Sequence, residues 1–223
     1  MKRENSYKGY FKIQKPTSKY DFATTLHSNF MQNYIYTAPT GKVLLTTKGA
    51  FPEYTYQQTN ALLSGVDIDF SYKWTNKFSS LTKSTYLYAY DFDENNGLIG
   101  ISPNRIEQAF WYSIFKKNED NDLIFSFAAS YFFKQNNSNL NFELVNPPKG
   151  YYLFDTGLSY KIRYNYKYEY RHDYIKVNFE INNLLNTQYR DYMNRNRFFA
   201  NEMGRNFKLS IEIPFTIINK EMN

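Results

Sequence analysis

Cysteine is missing from all 223 residues, so neither a disulfide framework nor a thiolate metal site can form. Histidine is nearly missing. His27 and His172 lie far apart in sequence, and neither has a carboxylate arranged beside it, so imidazole metal binding finds no support. No run of 18 apolar residues occurs and the mean hydropathy is -0.66, which excludes a transmembrane helix. A transmembrane barrel is not excluded, because only alternate residues of its strands need be apolar. There is no Ser/His/Asp set, phosphate-cradling glycine loop or paired-carboxylate motif, so nothing points to an enzyme and no cofactor is expected. The opening MKRENSYKGY carries basic residues but no apolar stretch or cleavage site, and no export signal is visible.

What the chain has in excess is aromatic side chains: 23 Tyr and 20 Phe, 20% of residues with tryptophan. Tyrosine suits strands, and it suits a membrane–water boundary, where one end of the ring is wet and the other apolar. The formal charge is +6, from 27 basic and 21 acidic residues. A basic, aromatic β protein can bind single-stranded nucleic acid. Here the cations are scattered over turns and loops rather than gathered in one stripe, so no nucleic-acid partner is expected.

The stretch from Tyr174 to Phe215 shows the organising pattern. Ile175, Val177, Phe179 and Ile181 alternate with Lys176, Asn178, Glu180 and Asn182. After a long polar connection, Phe207, Leu209, Ile211, Ile213 and Phe215 alternate with Asn206, Lys208, Ser210 and Glu212. Period-two alternation puts the two sets on opposite faces of extended strands. The same pattern runs through Tyr7–Gln14, Tyr20–Tyr36, Tyr54–Trp74, Phe78–Tyr90, Arg105–Phe115, Leu123–Phe133 and Tyr152–Ile162. The sequence therefore predicts an all-β chain of about nine long antiparallel strands in an up-and-down meander, without helices.

The connections alternate between short ones, near 17, 76, 118 and 168, and long ones, about 37–50, 91–104, 135–150 and 187–203. Outer-membrane barrels have short turns at one end and long loops at the other. A transmembrane sheet must also close, so that no edge meets lipid. The segment Asp91–Gly97 has the composition of a calcium loop but not its spacing, with Asn96 at the sixth position and Ser102 at the twelfth. It reads as a solvated hairpin loop, and no metal site is expected. Asn182, Asn183 and Asn186 read as strand-ending residues whose side chains satisfy local backbone.

Several separated motifs resemble one family in its order. Asn33-Tyr34-Ile35-Tyr36 precedes Gly49-Ala50-Phe51-Pro52 and Tyr56-Gln57-Gln58-Thr59; Asp67 and Asp69 follow inside a strand, and Arg105-Ile106-Glu107 follows a loop. Then come Asn182-Asn183-Leu184-Leu185-Asn186-Thr187, Tyr189-Arg190-Asp191-Tyr192, Arg197-Phe198-Phe199-Ala200 and Gly204-Arg205-Asn206-Phe207, with a last strand ending on Phe215. Together they resemble the C-terminal barrel portion of a TonB-dependent outer-membrane receptor. The resemblance covers nearly the whole chain but only the last part of such a receptor.

This resemblance implies residues 1–215 as an incomplete, open segment of a 22-stranded barrel, followed by a polar tail at 216–223. It implies a Gram-negative outer-membrane location, with lipid as one partner. The plug domain, the N-terminal barrel strands and the segment that meets TonB would lie N-terminal to everything in this sequence. The expected function is a fragment of a receptor for active uptake of a scarce nutrient such as a ferric siderophore, not competent for transport alone. A self-contained small porin-like barrel and a soluble all-β binding module are the alternatives.

Alternation then assigns faces. Leu62, Val66, Phe70, Phe125, Phe127, Val177, Phe179, Leu209 and Ile211 are expected to face lipid. Asp67, Asp69, Lys73, Lys176, Glu180, Lys208 and Glu212 are expected to face the lumen. Placing Glu180 opposite Lys208 also sets Lys176 opposite Glu212, Phe179 opposite Leu209 and Val177 opposite Ile211. The loop cations Arg190, Arg195, Arg197 and Arg205 are candidate ligand contacts, with pairing to loop acids and carbonyls as the other reading of them.

Overall fold

The computed structural model describes residues 1–117, 121–163 and 174–214. The strands are β1 (Asn5–Pro16), β2 (Tyr20–Thr46), β3 (Gly49–Lys73), β4 (Phe78–Asp91), β5 (Asn96–Gly97), β6 (Arg105–Lys117), β7 (Asn121–Phe132), β8 (Tyr151–Arg163), β9 (Tyr174–Asn182) and β10 (Asn206–Glu212). Nine of them lie in the order β1-β2-β3-β4-β6-β7-β8-β9-β10, each antiparallel to its neighbour, and the two-residue β5 pairs only with β4. The sheet is open: among the described residues β1 and β10 are its two ends. Among the described residues the helical pieces are two single 3-10 turns, Leu140–Phe142 and Arg195–Phe198.

Polar side chains close the tight turns. Thr17 Oγ1 accepts from the Tyr20 N–H at 2.9 Å, and Thr75 Oγ1 accepts from the Phe78 N–H at 3.0 Å. Each hydroxyl stands in for a backbone partner and lets the chain reverse within a few residues.

One expected connection is not a loop. The stretch 37–50 continues β2 and β3 into a long two-stranded arm, with only residues 47 and 48 outside the strands at its tip. Val43, Leu44 and Leu45 favour extended backbone, while Gly41 at φ 77° supplies the irregularity between Pro39 and Val43. The arm is tied to the sheet at a second irregularity, between Met31 and Tyr34, where Asn33 takes φ 54°. The last strand is also shorter than the pattern suggested. It ends at Glu212, with Ile213 and Pro214 outside it, since proline has no N–H to give to a ladder. His172, the turns near 118 and 168, Phe215 and the tail 216–223 lie outside the described residues.

The expected register between the last two strands is present. Glu180 pairs with Lys208, Lys176 with Glu212, Phe179 with Leu209 and Val177 with Ile211. Because directly opposed residues share a face, the ladders carry this assignment strand by strand across the sheet. Asp67, Asp69, Lys73, Lys83, Arg105, Glu107, Asp122, Asp155, Lys161, Lys176, Glu180, Lys208 and Glu212 all fall on one face. Leu62, Val66, Phe70, Phe125, Phe127, Val177, Phe179, Leu209 and Ile211 all fall on the other.

The small core sits on the charged face, at its loop end. Leu98 and Ile101 from the β5–β6 connection fold back onto Met31, Ala61 and Ala89. The apolar face keeps large side chains bare, with Leu209 67% and Ile211 62% exposed.

Candidate functional site

The long connections do not trail into solvent. They interlock over the loop end of the charged face, through contacts between residues distant in sequence. Gln135 Nε2 donates to the Ile101 carbonyl at 2.8 Å, Asn137 Nδ2 to the Ala89 carbonyl at 2.7 Å, and the Asn139 N–H to the Gly97 carbonyl at 3.0 Å. The β7–β8 connection is thereby stitched onto the end of β4 and the loop after it.

The last connection is shaped by asparagine, as the sequence suggested. Asn183 and Asn186 take φ values of 52° and 55°, a left-handed conformation that asparagine tolerates better than most residues. Asn183 Oδ1 accepts from the Thr187 N–H at 2.7 Å and its Nδ2 donates to the Thr187 carbonyl at 2.9 Å, closing the turn that ends β9. Asn186 Oδ1 accepts from the Arg205 N–H at 2.9 Å, holding the start and the end of the loop together.

At the centre of the assembly lies a buried polar knot. Glu143 Oε2 meets Arg197 Nη2 at 2.6 Å, and its Oε1 accepts from the Tyr192 hydroxyl. Tyr192 in turn accepts from the Gly100 N–H at 3.1 Å. Arg197 also donates from Nη1 to the Tyr192 carbonyl at 2.8 Å, and its guanidinium lies 4.3 Å from the centre of the Tyr192 ring. Burial, and next the hydrogen bond to Glu143, push the Tyr192 phenol up to about 12. Three long connections meet in this knot.

Beside it opens a cavity of about 360 Å³ between these loops and the arm. Tyr34 and Tyr36 border it and stack at 6.1 Å between ring centres. By register they occupy one face of the arm, and Tyr54 and Tyr56, which also border the cavity, occupy the other. The Arg195 guanidinium stands 5.8 Å from the centre of the Tyr54 ring, within range of a cation–π contact. Tyr54 and Tyr56 are 38% and 67% exposed, so this wall is open to a ligand.

The four candidate arginines therefore separate. Arg197 is spent on Glu143 and the Tyr192 carbonyl. Arg205 Nε donates to the Leu184 carbonyl at 2.8 Å, and Arg190 Nε donates to Asn201 Oδ1 at 3.0 Å; neither borders the cavity. Arg195 borders it, is exposed and, among the described residues, has no carboxylate within 4 Å. The sequence singled out Tyr192 only as part of the Tyr189–Tyr192 motif, with no role, and gave no sign of Glu143. The paired tyrosines Tyr34/Tyr36 and Tyr54/Tyr56 were visible as a period-two signal.

His27 also differs from expectation. Its Nδ1 lies 3.5 Å from Asp67 Oδ2, a carboxylate 40 positions away that reaches it diagonally across β2 and β3. Gly65, directly opposite His27, makes room, since a Cβ there would stand 2.6 Å from Nε2 of the imidazole. Diagonal partners of this kind cannot be read from linear spacing.

No protein-family model matches the sequence, and no characterised protein matches it at the sequence level. The copper transporter OprC superposes with a TM-score of 0.72 at 16% identity, over 95% of this chain and 31% of its own. The ferric preacinetobactin receptor BauA of Acinetobacter baumannii gives 0.64 at 15% identity, over 92% and 29%. The siderophore receptor PirA of the same organism gives 0.60 at 17% identity, over 93% and 31%. The chain thus spans about a third of the length of these solved structures, all of them TonB-dependent receptors. Its open antiparallel sheet has the fold of one portion of the TonB-dependent receptor barrel.

Proposed function

We propose that this chain forms the C-terminal barrel portion of an outer-membrane receptor for active uptake of a scarce nutrient, with a ferric siderophore as the leading class of cargo. The observation that carries this reading is the separation of faces. Among the residues whose side chains are described, the charged ladder residues of the nine strands share one face, except Lys15 beside the first turn. An apolar face of this extent, bare of any covering layer, suits hydrocarbon and is unfavourable in water.

In this reading Leu62, Val66, Phe70, Phe125, Phe127, Val177, Phe179, Leu209 and Ile211 touch lipid. Asp67, Asp69, Lys73, Lys176, Glu180, Lys208 and Glu212 line the lumen. The tyrosines and the tryptophan of the apolar face support it, because most of them stand towards the two ends. Tyr72, Trp74, Phe78 and Tyr112 lie at the end with the short turns, and Tyr88, Tyr90, Tyr131 and Tyr152 at the end with the long loops.

Strand parity supports the need for further strands. Nine alternating strands leave β1 and β10 running in the same direction. Closing the sheet with antiparallel pairs throughout therefore takes an odd number of additional strands, about thirteen for a 22-stranded barrel. Those strands, a plug domain and, through it, TonB are the proposed polypeptide partners.

The test is fractionation. Exported into the envelope of Gram-negative cells together with the missing barrel strands, the chain should remain in the outer-membrane pellet after carbonate extraction. Recovery in the soluble fraction would rule out the membrane reading in favour of a soluble binding module.

A further inference from the structure

The cavity between the arm and the interlocked loops has a definite chemical character. Its cation, Arg195, is exposed and without a carboxylate partner among the described residues. The guanidinium already lies against an aromatic face, at 5.8 Å from Tyr54. Of the carboxylate and sulfur groups on the wall, Glu143 is held by Arg197 and Tyr192, which leaves Met193 alone. A metal ion by itself would find no ligand set there. A planar anion would find both an unspent guanidinium fork and tyrosine faces to lie on.

We propose that this cavity binds a planar aromatic carboxylate, its carboxylate paired with Arg195 and its ring resting on Tyr54 and Tyr56. Guanidinium matches a carboxylate with two parallel N–H···O bonds, which a lysine ammonium cannot reproduce. Tyrosine faces stack on aromatic rings at little entropic cost, having few rotatable bonds to order. A volume of about 360 Å³ admits two fused rings. The cavity would then grip one aromatic acid group, either free or projecting from a larger solute. As a statement about captured cargo this rests on the receptor reading; as a statement about binding it stands on the cavity alone.

The experiment uses the full chain in detergent micelles, titrated with 2-naphthoate and followed by tyrosine fluorescence. Saturable binding is expected for the native chain, with 2-naphthamide, the uncharged analogue of the same shape, at least about tenfold weaker. Arg195→Gln should weaken 2-naphthoate by a similar factor and leave 2-naphthamide unchanged. Arg195→Lys should fall between the two, and Tyr54→Ala should weaken both probes. Arg195 has no ion pair to lose among the described residues, so its variants should keep the far-UV spectrum of the native chain. Equal binding of the two probes, or an Arg195→Gln chain that binds 2-naphthoate normally, overturns the proposal, and so does no saturable binding at all. Fractionation separates this from the receptor reading. A membrane-borne chain that does not bind loses the site and keeps the reading, whereas a soluble chain that binds keeps the site and loses the reading.

Discussion

Glu143 and Arg197 are 54 residues apart in sequence and 2.6 Å apart in space, 5% and 7% exposed. Removing one partner of such a pair leaves a buried charge without compensation, at a cost of about 3–5 kcal/mol. Arg197→Ala should therefore free the loops rather than unfold the sheet. In hydrogen exchange, amides near Gly100 and Asn194 should lose protection while those of β3 and β4 keep theirs. Unchanged exchange in both loops would show that the knot does not hold them.

The face assignment predicts unequal tolerance at adjacent positions. In a lipid-inserted barrel, Phe179→Arg should cost about 2–4 kcal/mol if it lies near the bilayer midplane, measured by denaturant unfolding from vesicles. Asn178→Arg, on the opposite face of β9, should cost little. Equal costs at the two positions would contradict the assignment of Phe179 to lipid.

The pair Lys208 Nζ–Glu180 Oε2 at 3.3 Å has a longer companion in Lys176 Nζ–Glu212 Oε2 at 3.8 Å. Both pairs are substantially exposed, so a double-mutant cycle at Glu180 and Lys208 should give a coupling of only about 0.2–1 kcal/mol. Added salt should reduce it further. The value of these pairs lies in register. A slip of β10 by one residue would turn Lys208 and Glu212 onto the apolar face.

Tyr192 makes the loop knot sensitive to alkali. Its phenol, raised by burial from the ordinary value near 10 to about 12, stays neutral in the folded chain over a range where the unfolded chain has ionised. Its contribution is thus complete below pH 10 and is lost as the pH rises towards 12. The gap in thermal midpoint between the native chain and Tyr192→Phe should be constant below pH 10 and narrow above it. A gap that widened with pH would reverse the sign and exclude this account.

Period-two patterning, independent of any partner, determined a great deal here. It marked the strands, their two faces and the meander, because in an extended chain the side-chain direction follows from parity alone. It also set the register of β9 and β10, where the opposite charges of Lys176, Glu180, Lys208 and Glu212 admit one alignment. The strand-ending role of Asn183 was legible for a similar reason, since its side chain satisfies backbone groups close in sequence, whereas the left-handed backbone of Asn183 and Asn186 was not.

The site was not legible in this way. Whether 37–50 formed a loop or an arm depended on cross-strand bonds between residues up to 19 positions apart, such as Pro39 with Tyr54 and Thr37 with Tyr56. The separation of Arg195 from Arg190, Arg197 and Arg205 depended on what lay within 3 Å of each guanidinium. Glu143 reaches Arg197 only because three long connections fold back over the same end of the sheet. His27 meets Asp67 only because β2 and β3 pair with Gly65 between them. Local sequence decides where a backbone can extend or turn, whereas the partner of a loop charge is decided by the closure of distant loops. That is why the fold was readable from the residues in order and the cavity only from the folded chain.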